Sequence, residues 1–181
     1  MTFANLTALA ACLAALGLAG AALKPAHPQP AAGASGQDLA EGKHLFRADC
    51  AGCHKWHGGG GGGYGGAALS LRNTHLDRAQ IVETVGCGRP GTGMPYHLRD
   101  AYDDKKCYGL TREALGKMMP MAANTFLRPG EIATIVDYVL AEVKGKGEPN
   151  YAQCIAFFGE GSRVCNIYEA GRPEQSGAGQ K

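Results

Sequence analysis

The chain lacks an excess of charge of either sign and is poor in aromatic residues. Its 18 Lys and Arg nearly balance its 16 Asp and Glu, and no block of basic residues occurs, so nucleic acid is not an expected partner. Aromatic residues make up only 7% of the chain, whereas glycine occurs 28 times. No Lys-Ser or Lys-Thr follows the glycine run at residues 58–63, which argues against a phosphate-binding loop. A chain of 181 residues with this composition is expected to form one loop-rich domain with extensions, and a bound apolar group would add to its core.

The most specific motif is a C-x-x-C-H at residues 50–54. This spacing is the attachment signature of a c-type haem. The thiols of Cys50 and Cys53 each form a thioether bond with a haem vinyl group, and His54 then lies over the porphyrin as an axial ligand of the iron. On one helical turn, both sulfurs reach the same porphyrin while Nε2 of His54 points at the metal. We therefore predict one covalently attached haem c as the cofactor.

A Cys-x-x-Cys pair also occurs in zinc sites and in thioredoxin-like redox sites. A structural zinc site needs a second pair of ligands at matching spacing, but the later cysteines stand singly, at Cys87, Cys107, Cys154 and Cys165. A thioredoxin-like redox pair needs a βαβ unit, and no stretch of the chain has the pattern of a parallel strand. Haem attachment is the favoured interpretation, ahead of zinc and of a structural disulfide.

The N-terminal 23 residues carry no charge and are dominated by Ala, Leu and Gly. They predict a secretory signal peptide with a cleavage site near Ala19-Gly20-Ala21, or an uncleaved N-terminal anchor, because no Lys or Arg precedes the apolar run. A lipoprotein signal ending at Cys12 is less favoured, since cleavage there would leave an apolar stretch behind. Residues 24–36 are rich in Pro, Ala and Gly and predict a flexible leader. Secretion agrees with the haem motif, because bacteria attach haem to C-x-x-C-H outside the cytoplasm.

Two predicted helices carry a pattern that resembles the class I cytochrome c family. Ser35 is a suitable N-cap for a first helix that runs into Cys50. In the family, a Gly and an aromatic four residues later on this helix cross an aromatic on the C-terminal helix, and Gly42, Phe46 and Tyr138 match those three positions. The C-terminal helix is predicted to begin at Pro129 and to end near residue 145.

The resemblance also implies the second axial ligand. The run GRPGTGMP at residues 88–95 is similar to a family loop whose Met is the sixth ligand, which here is Met94. Family members usually carry a Gly-Pro-x-Leu whose Pro carbonyl accepts a hydrogen bond from the axial His, but the matching residues 66–69 have no Pro. The alternatives for the sixth ligand are three later methionines and three histidines: Met118, Met119, Met121, His57, His75 and His97.

Between these motifs the sequence predicts two further short helices and a charged segment. Thr74 and Asp77 have the spacing of a capping box ahead of one helix, and Thr111 is a suitable cap for the other. Residues 100–106 carry charges of both signs and predict a solvated insertion. Either this segment or the Gly-rich loop could form a docking rim. Four cysteines allow three pairings. In an oxidising compartment we favour the two local ones, Cys87 with Cys107 around the Met94 loop and Cys154 with Cys165 in the tail.

Together these observations predict an all-α, class I cytochrome c fold with three to five helices around one haem, long loops and a C-terminal extension. The expected organisation is a signal peptide or anchor at 1–23, a leader at 24–36, a cytochrome c domain at 37–147, and a disulfide-bridged extension with a polar tail at 148–181. The tail from residue 171 is expected to be disordered.

The resemblance implies a periplasmic electron carrier rather than an enzyme. The expected redox partners are a periplasmic dehydrogenase such as a quinoprotein, and a terminal oxidase or another cytochrome; a membrane is a partner only if the N-terminal segment is retained. Two alternatives stay open: a haem protein with an open axial site, for small-ligand binding or catalysis, and a fixed subunit of a larger oxidoreductase complex.

Overall fold

The computed structural model describes residues 35–62 and 67–171. The predicted signal segment, the leader up to residue 34, residues 63–66 and the tail from residue 172 lie outside the described residues. Within the described part the chain is helical and contains isolated β-bridges but no β-strand. Four of its α-helices have eight residues or more, in line with the all-α prediction. In this part of the chain no helix is long and apolar enough to cross a membrane.

Helix α1 (Gly36–Asp49) begins at the predicted cap. The Ser35 hydroxyl accepts a hydrogen bond from the Asp38 backbone N–H, and the Asp38 carboxylate accepts one from the Ser35 N–H, which makes a capping box. The helix ends at Cys50, whose N–H donates to the Phe46 carbonyl at 2.9 Å. The chain turns there into the single-turn helix α2 (Ala51–His54), so that α1 positions the start of the C-x-x-C-H motif.

Helix α3 (Arg78–Cys87) forms where a helix was predicted, but the predicted cap was wrong. Its N-cap is Asp77, whose carboxylate accepts from the Gln80 N–H while the Gln80 side chain accepts from the Asp77 N–H. The Thr74 hydroxyl instead accepts from the Leu76 N–H, in the turn ahead of the helix. Two cap patterns overlap in this stretch, and Asp77 becomes the cap because Gln80 can reciprocate its hydrogen bond.

Residues 88–128, which we call the loop lobe, lie between α3 and the C-terminal helix. The lobe contains the short helix α4 (Arg112–Leu115), with Thr111 as its predicted cap, followed by a 3-10 turn at Gly116–Met118. It has a small core of its own that surrounds the Cys87–Cys107 disulfide and is made of Tyr96, Ala101, Tyr102 and Leu115. The first predicted disulfide is therefore confirmed.

Helix α5 (Pro129–Tyr138) starts at its predicted proline and continues as a π-helical turn, Val139–Val143. Proline suits the first turn because its missing N–H breaks no helical hydrogen bond. The predicted apolar face is buried and consists of Ile132, Ile135, Val136, Val139 and Val143. The chain leaves the helix at Gly145, whose φ of 75° is favourable only for glycine among common residues.

Helices α1 and α5 cross at Gly42. A Cβ atom on Gly42 would lie 2.5 Å from the Thr134 carbonyl oxygen and 2.7 Å from Cβ of Tyr138, so the two backbones approach more closely than a side chain would allow. Beside this crossing the rings of Phe46 and Tyr138 pack with centroids 5.5 Å apart. The three positions taken from the family pattern thus meet in the core, as predicted.

Residues 148–171, the C-terminal extension, pack on the domain. Helix α6 (Tyr151–Phe158) is joined to a 3-10 helix, Arg163–Gly171, by the Cys154–Cys165 disulfide, which confirms the second predicted pair. The indole of Trp56 contacts three aromatic rings of the extension, with centroid distances of 5.9, 5.7 and 5.7 Å to Phe157, Phe158 and Tyr168. The extension therefore covers Trp56, which lies two residues after the haem motif.

A buried arginine ties the extension to the loop after the haem motif. The guanidinium of Arg72 donates to the carbonyls of His57 at 2.9 Å, Lys146 at 3.0 Å and Gly147, and to the side-chain oxygen of Gln153 at 2.9 Å. These acceptors come from three separate segments of the chain. Arg72 was not singled out from the sequence, because no local pattern distinguishes it from a surface arginine.

Candidate haem site

The two motif cysteines are free thiols at the junction of α1 and α2. The Cys50 carbonyl accepts from the N–H groups of Cys53 at 3.2 Å and His54 at 2.9 Å, so one helical turn holds all three motif side chains. Among the described cysteines only Cys50 and Cys53 are unbonded, since the other four form disulfides. Burial raises the pKa of Cys50 to about 12, and the charges of Asp49 and Cys53 add to the shift, so this group is a thiol at neutral pH.

His54 has a fixed ring orientation. Its Nδ1 lies 3.1 Å from the Leu69 carbonyl oxygen, so Nδ1 carries the proton and donates, and Nε2 is left with a free lone pair. Burial lowers the pKa of His54; the Leu69 hydrogen bond opposes that shift and the charge of Arg89 adds to it. A neutral imidazole with Nδ1–H bound to a carbonyl is the form in which histidine binds a metal.

The Leu69 carbonyl replaces the proline carbonyl that the family pattern would supply. The glycine run makes this possible, because a Cβ on Gly60 would lie 2.3 Å from the Ala68 carbonyl oxygen and 2.8 Å from the Leu69 carbonyl carbon. Gly61 and Ala68 also exchange two backbone hydrogen bonds, of 2.9 and 3.3 Å. The sequence did not identify Leu69, since a backbone acceptor has no residue signature; the density of glycines was the only available signal.

The Met94 loop is a tight turn closed by its own polar groups. The Arg89 N–H donates to the Met94 carbonyl at 3.2 Å, the Thr92 hydroxyl donates to the Arg89 carbonyl at 2.8 Å, and the Met94 N–H donates to the Thr92 hydroxyl at 3.3 Å. The loop begins at Gly88, which has a φ of 66° and where a Cβ would lie 2.7 Å from the Met94 carbonyl oxygen. The charge of Arg89, at the start of this loop, contributes to the lowered pKa of His54.

The three rival methionines lie on a segment that runs beside the Met94 loop. The Gly91 N–H donates to the Met118 carbonyl at 2.8 Å, and the Tyr96 N–H donates to the Met121 carbonyl at 3.0 Å. Met119 packs against the core of the loop lobe, whereas the side chains of Met118 and Met121 are 55% and 71% exposed. The structure thus brings both candidate ligand segments to the same side of the domain.

The three histidines proposed as alternative ligands belong to different segments of the chain. His97 is 5% exposed, and its Nδ1 lies 3.2 Å from the Thr125 carbonyl oxygen. Nδ1 of His57 accepts from the Gly59 N–H at 3.0 Å, so its ring is held in the glycine-rich loop. His75 is exposed ahead of α3. The ring of His57 is therefore held within its own loop, whereas Nδ1 of His97 contacts a carbonyl oxygen as Nδ1 of His54 does.

Two tyrosines that the sequence did not indicate hold the base of the Met94 loop. The Tyr102 hydroxyl donates to the Cys87 carbonyl and the Tyr108 hydroxyl to the Gly88 carbonyl, both at 2.7 Å. The Tyr108 N–H also donates to the Glu83 carboxylate of α3 at 2.9 Å. Together with the Cys87–Cys107 disulfide, these bonds fix the loop to the end of α3.

Replacing both Cys87 and Cys107 with serine is expected to lower the free energy of unfolding by about 3 kcal/mol, because the bridge closes a loop of 20 residues in the unfolded chain. If Met94 binds the haem iron, its absorbance band should also be lost at lower urea concentration, since the loop is released from α3. The matched control is the double serine variant of Cys154 and Cys165, which should be destabilised without this earlier loss. If both variants lose this absorbance at the same urea concentration, the Cys87–Cys107 bridge has no specific role in holding the Met94 loop.

Comparison with known proteins agrees with this site. The family model named Cytochrome c matches residues 39–141, which is more than half of the chain and contains the haem motif and the Met94 loop. The chain belongs to the cytochrome c family. Curated proteins and solved structures gave no significant match.

Family membership makes this a haem-binding, electron-transfer protein with redox partners. The residues present fit a c-type haem: two free thiols on one helical turn, and a neutral histidine whose Nδ1 donates to a carbonyl oxygen.

Proposed function

We propose that the chain is a periplasmic one-electron carrier with a single haem, attached through Cys50 and Cys53 and ligated by His54 and Met94. The observation that carries this proposal is the Nδ1 contact of His54 with the Leu69 carbonyl at 3.1 Å, beside two unbonded thiols. When bound, the haem supplies an iron that alternates between the ferric and ferrous states. Every other task falls to the protein.

Specific residues of the chain orient the ligands and set the spacing of the two thiols. The Leu69 carbonyl orients the His54 ring and increases its basicity as a ligand, while helix α2 sets the spacing of the two thiols. Met94 would provide a neutral thioether, which favours the ferrous state and raises the reduction potential. If His54 and Met94 both bind the iron, no position would remain for a small ligand, and the protein would only transfer electrons.

Two features favour Met94 over its rivals as the sixth ligand. The Met94 turn is closed by three hydrogen bonds and is fixed at its base by the disulfide and the two tyrosines. Met119, by contrast, is used in packing. A ligand on a fixed turn loses less entropy on binding than one on a mobile side chain.

The chemistry of the chain supports the proposed location and partners. Two disulfides suit an oxidising compartment, and residues 1–23 have the composition of a secretion signal, which supports the bacterial periplasm. A quinoprotein-like dehydrogenase as donor and a terminal oxidase or another cytochrome as acceptor suit a carrier in that compartment. The extension packs on its own domain through Trp56, which supports a separately folding carrier over a subunit that needs a partner to cover its tail.

The ligand proposal is tested by the weak near-infrared band that methionine gives on ferric iron. Met94→Ala is expected to abolish the band and to lower the reduction potential, because a soft neutral ligand is lost. Met121→Ala is the matched control and should leave the band unchanged, since Met121 lies outside the hydrogen-bonded turn that holds Met94. A band that persists in Met94→Ala, or disappears in Met121→Ala, would overturn the assignment of Met94.

A further inference from the structure

A cleft of about 470 Å³ lies between the first two turns of α1, the end of α5 with its π-helical turn, and α6 of the extension. On α1 it is lined by one helical face, made of Gly36, Leu39, Ala40 and Lys43. No residue of the haem motif or of the Met94 loop lines it. Its volume is in the range of small-molecule sites in proteins. The cleft is therefore a candidate site separate from the haem.

The walls of this cleft are largely apolar. Trp56 and Phe157 both line it, with ring centroids 5.9 Å apart, and Phe157 is only 7% exposed. Leu39 and Val143 add aliphatic surface. Such walls favour a flat aromatic ring over a fully polar solute, because aromatic rings pack well against one another and bury a large apolar area.

One buried polar side chain in the cleft has no partner. Tyr138 is 6% exposed and lines the cleft, yet its hydroxyl makes no hydrogen bond with any described residue. Every fully enclosed side-chain oxygen or nitrogen in this part of the chain has a partner, so this hydroxyl is open to water or to a ligand. Burial raises the pKa of Tyr138 to about 12, and the charge of Glu142 adds to the shift. The hydroxyl therefore keeps its proton and can donate a hydrogen bond.

Two further donors line the same cleft. Nδ1 of His57 accepts from the Gly59 N–H at 3.0 Å, so in the neutral ring the proton is on Nε2. The Lys43 ammonium donates to the Ala156 carbonyl at 3.1 Å and has two more N–H groups. The charged residues of the lining are two cations and one carboxylate, so the cleft has a positive excess. Donors and positive charge together suit a ligand with anionic acceptor atoms.

We propose that the cleft binds a small aromatic carboxylate. The ring would lie against Trp56 and Phe157. The carboxylate would accept hydrogen bonds from the Tyr138 hydroxyl and the Lys43 ammonium. Such a ligand contacts α1 and α6 together, so it stabilises the extension in its packed position, because a molecule that binds one arrangement shifts the equilibrium toward it. The proposal does not depend on which residue is the sixth ligand of the iron.

The first test is calorimetric titration of the haem-loaded protein with phenylacetate as the probe. The compounds 2-phenylethylamine and 2-phenylethanol carry the same ring with a cationic or a neutral group. We expect phenylacetate to bind one-to-one and about tenfold more tightly than the amine, without any change in the haem absorbance. Absence of phenylacetate binding, tighter binding of the amine, or a haem spectrum that shifts on addition of phenylacetate would overturn the proposal.

Three variants test whether the probe occupies this cleft. Tyr138→Phe removes a hydroxyl that has no partner among the described residues, so it should weaken phenylacetate binding about tenfold without lowering stability. Ala40→Leu fills the cleft from an exposed position of α1 and should abolish binding. Ala48→Leu is the matched control, because it makes the same change at an exposed position of the same helix outside the cleft. Unchanged affinity in Tyr138→Phe or in Ala40→Leu would overturn the site.

Limited proteolysis tests the effect of the ligand on the extension. Saturating phenylacetate should slow cleavage of residues 148–171 in the wild-type protein and in Ala48→Leu, but not in Ala40→Leu. If phenylacetate binds by calorimetry but leaves the rate of cleavage of the wild-type extension unchanged, the ligand does not stabilise the packed extension and that part of the proposal is wrong.

Discussion

Gly42→Ala is expected to lower the free energy of unfolding by about 3 kcal/mol, one of the two largest effects predicted for a single substitution in this chain. The new Cβ would lie 2.5 Å from the Thr134 carbonyl oxygen and 2.7 Å from Cβ of Tyr138. Backbone and Cβ atoms cannot rotate away, so helices α1 and α5 must move apart. The packing of Phe46 against Tyr138 would loosen with them.

Gly130→Ala is the matched control, since Gly130 also lies in helix α5 but is exposed, and an added Cβ would contact nothing within 4 Å. There alanine should be neutral or stabilising by about 0.5–1 kcal/mol, because it favours helix more than glycine does. Urea unfolding followed by the fluorescence of the single tryptophan measures both variants. Equal stability of the two would show that the helices do not cross at Gly42 as described.

The sequence predicted those parts of the fold that depend on residues close to one another in the chain. The N-cap at Ser35, the start of α5 at Pro129 and both disulfides were predicted from local patterns and are present. The meeting of Gly42 with Tyr138 was also predicted, although the two are distant in sequence, because the family pattern specifies both helices. Local chemistry and a known fold pattern together were sufficient for these features.

Contacts made by backbone atoms were not predictable in the same way. The Leu69 carbonyl beside His54 could be any residue, because the side chain plays no part in the bond. The cap of α3 was assigned to Thr74 rather than Asp77, since both have a suitable spacing and only the Gln80 side chain decides between them. These features depend on where the glycine-rich loop and the turn before α3 fold back, which single-residue patterns do not specify.

The same limitation explains why the anchoring of the C-terminal extension was missed. Cys154 and Cys165 indicated a bridge within the extension, but nothing in the sequence connected the extension to Trp56 or Arg72. A buried arginine resembles a surface arginine in sequence, since its burial depends on acceptors brought from distant segments. The structure adds a physical link from the loop after the haem motif to the end of the chain.

Arg72→Met is expected to destabilise the protein by about 3 kcal/mol and to release the extension first. The guanidinium donates to the His57, Lys146 and Gly147 carbonyls and to Gln153, and methionine of similar length would remove all of these hydrogen bonds between separate segments. Methionine can be buried at this position without a penalty. The loss of stability therefore measures the missing hydrogen bonds rather than a new cavity. Limited proteolysis should therefore cut the extension faster than the domain.

Two further variants separate the possible causes of that loss. Arg72→Lys keeps the charge but not the planar fork, so it should recover only part of the stability if the geometry of the donors matters. Arg163→Met removes an exposed cation from the extension itself and should change stability by less than about 0.5 kcal/mol. Full recovery in Arg72→Lys would mean that charge alone holds the segments together. Unchanged proteolysis in Arg72→Met would mean that the Trp56 contacts suffice, because they would then keep the extension in place without the hydrogen bonds.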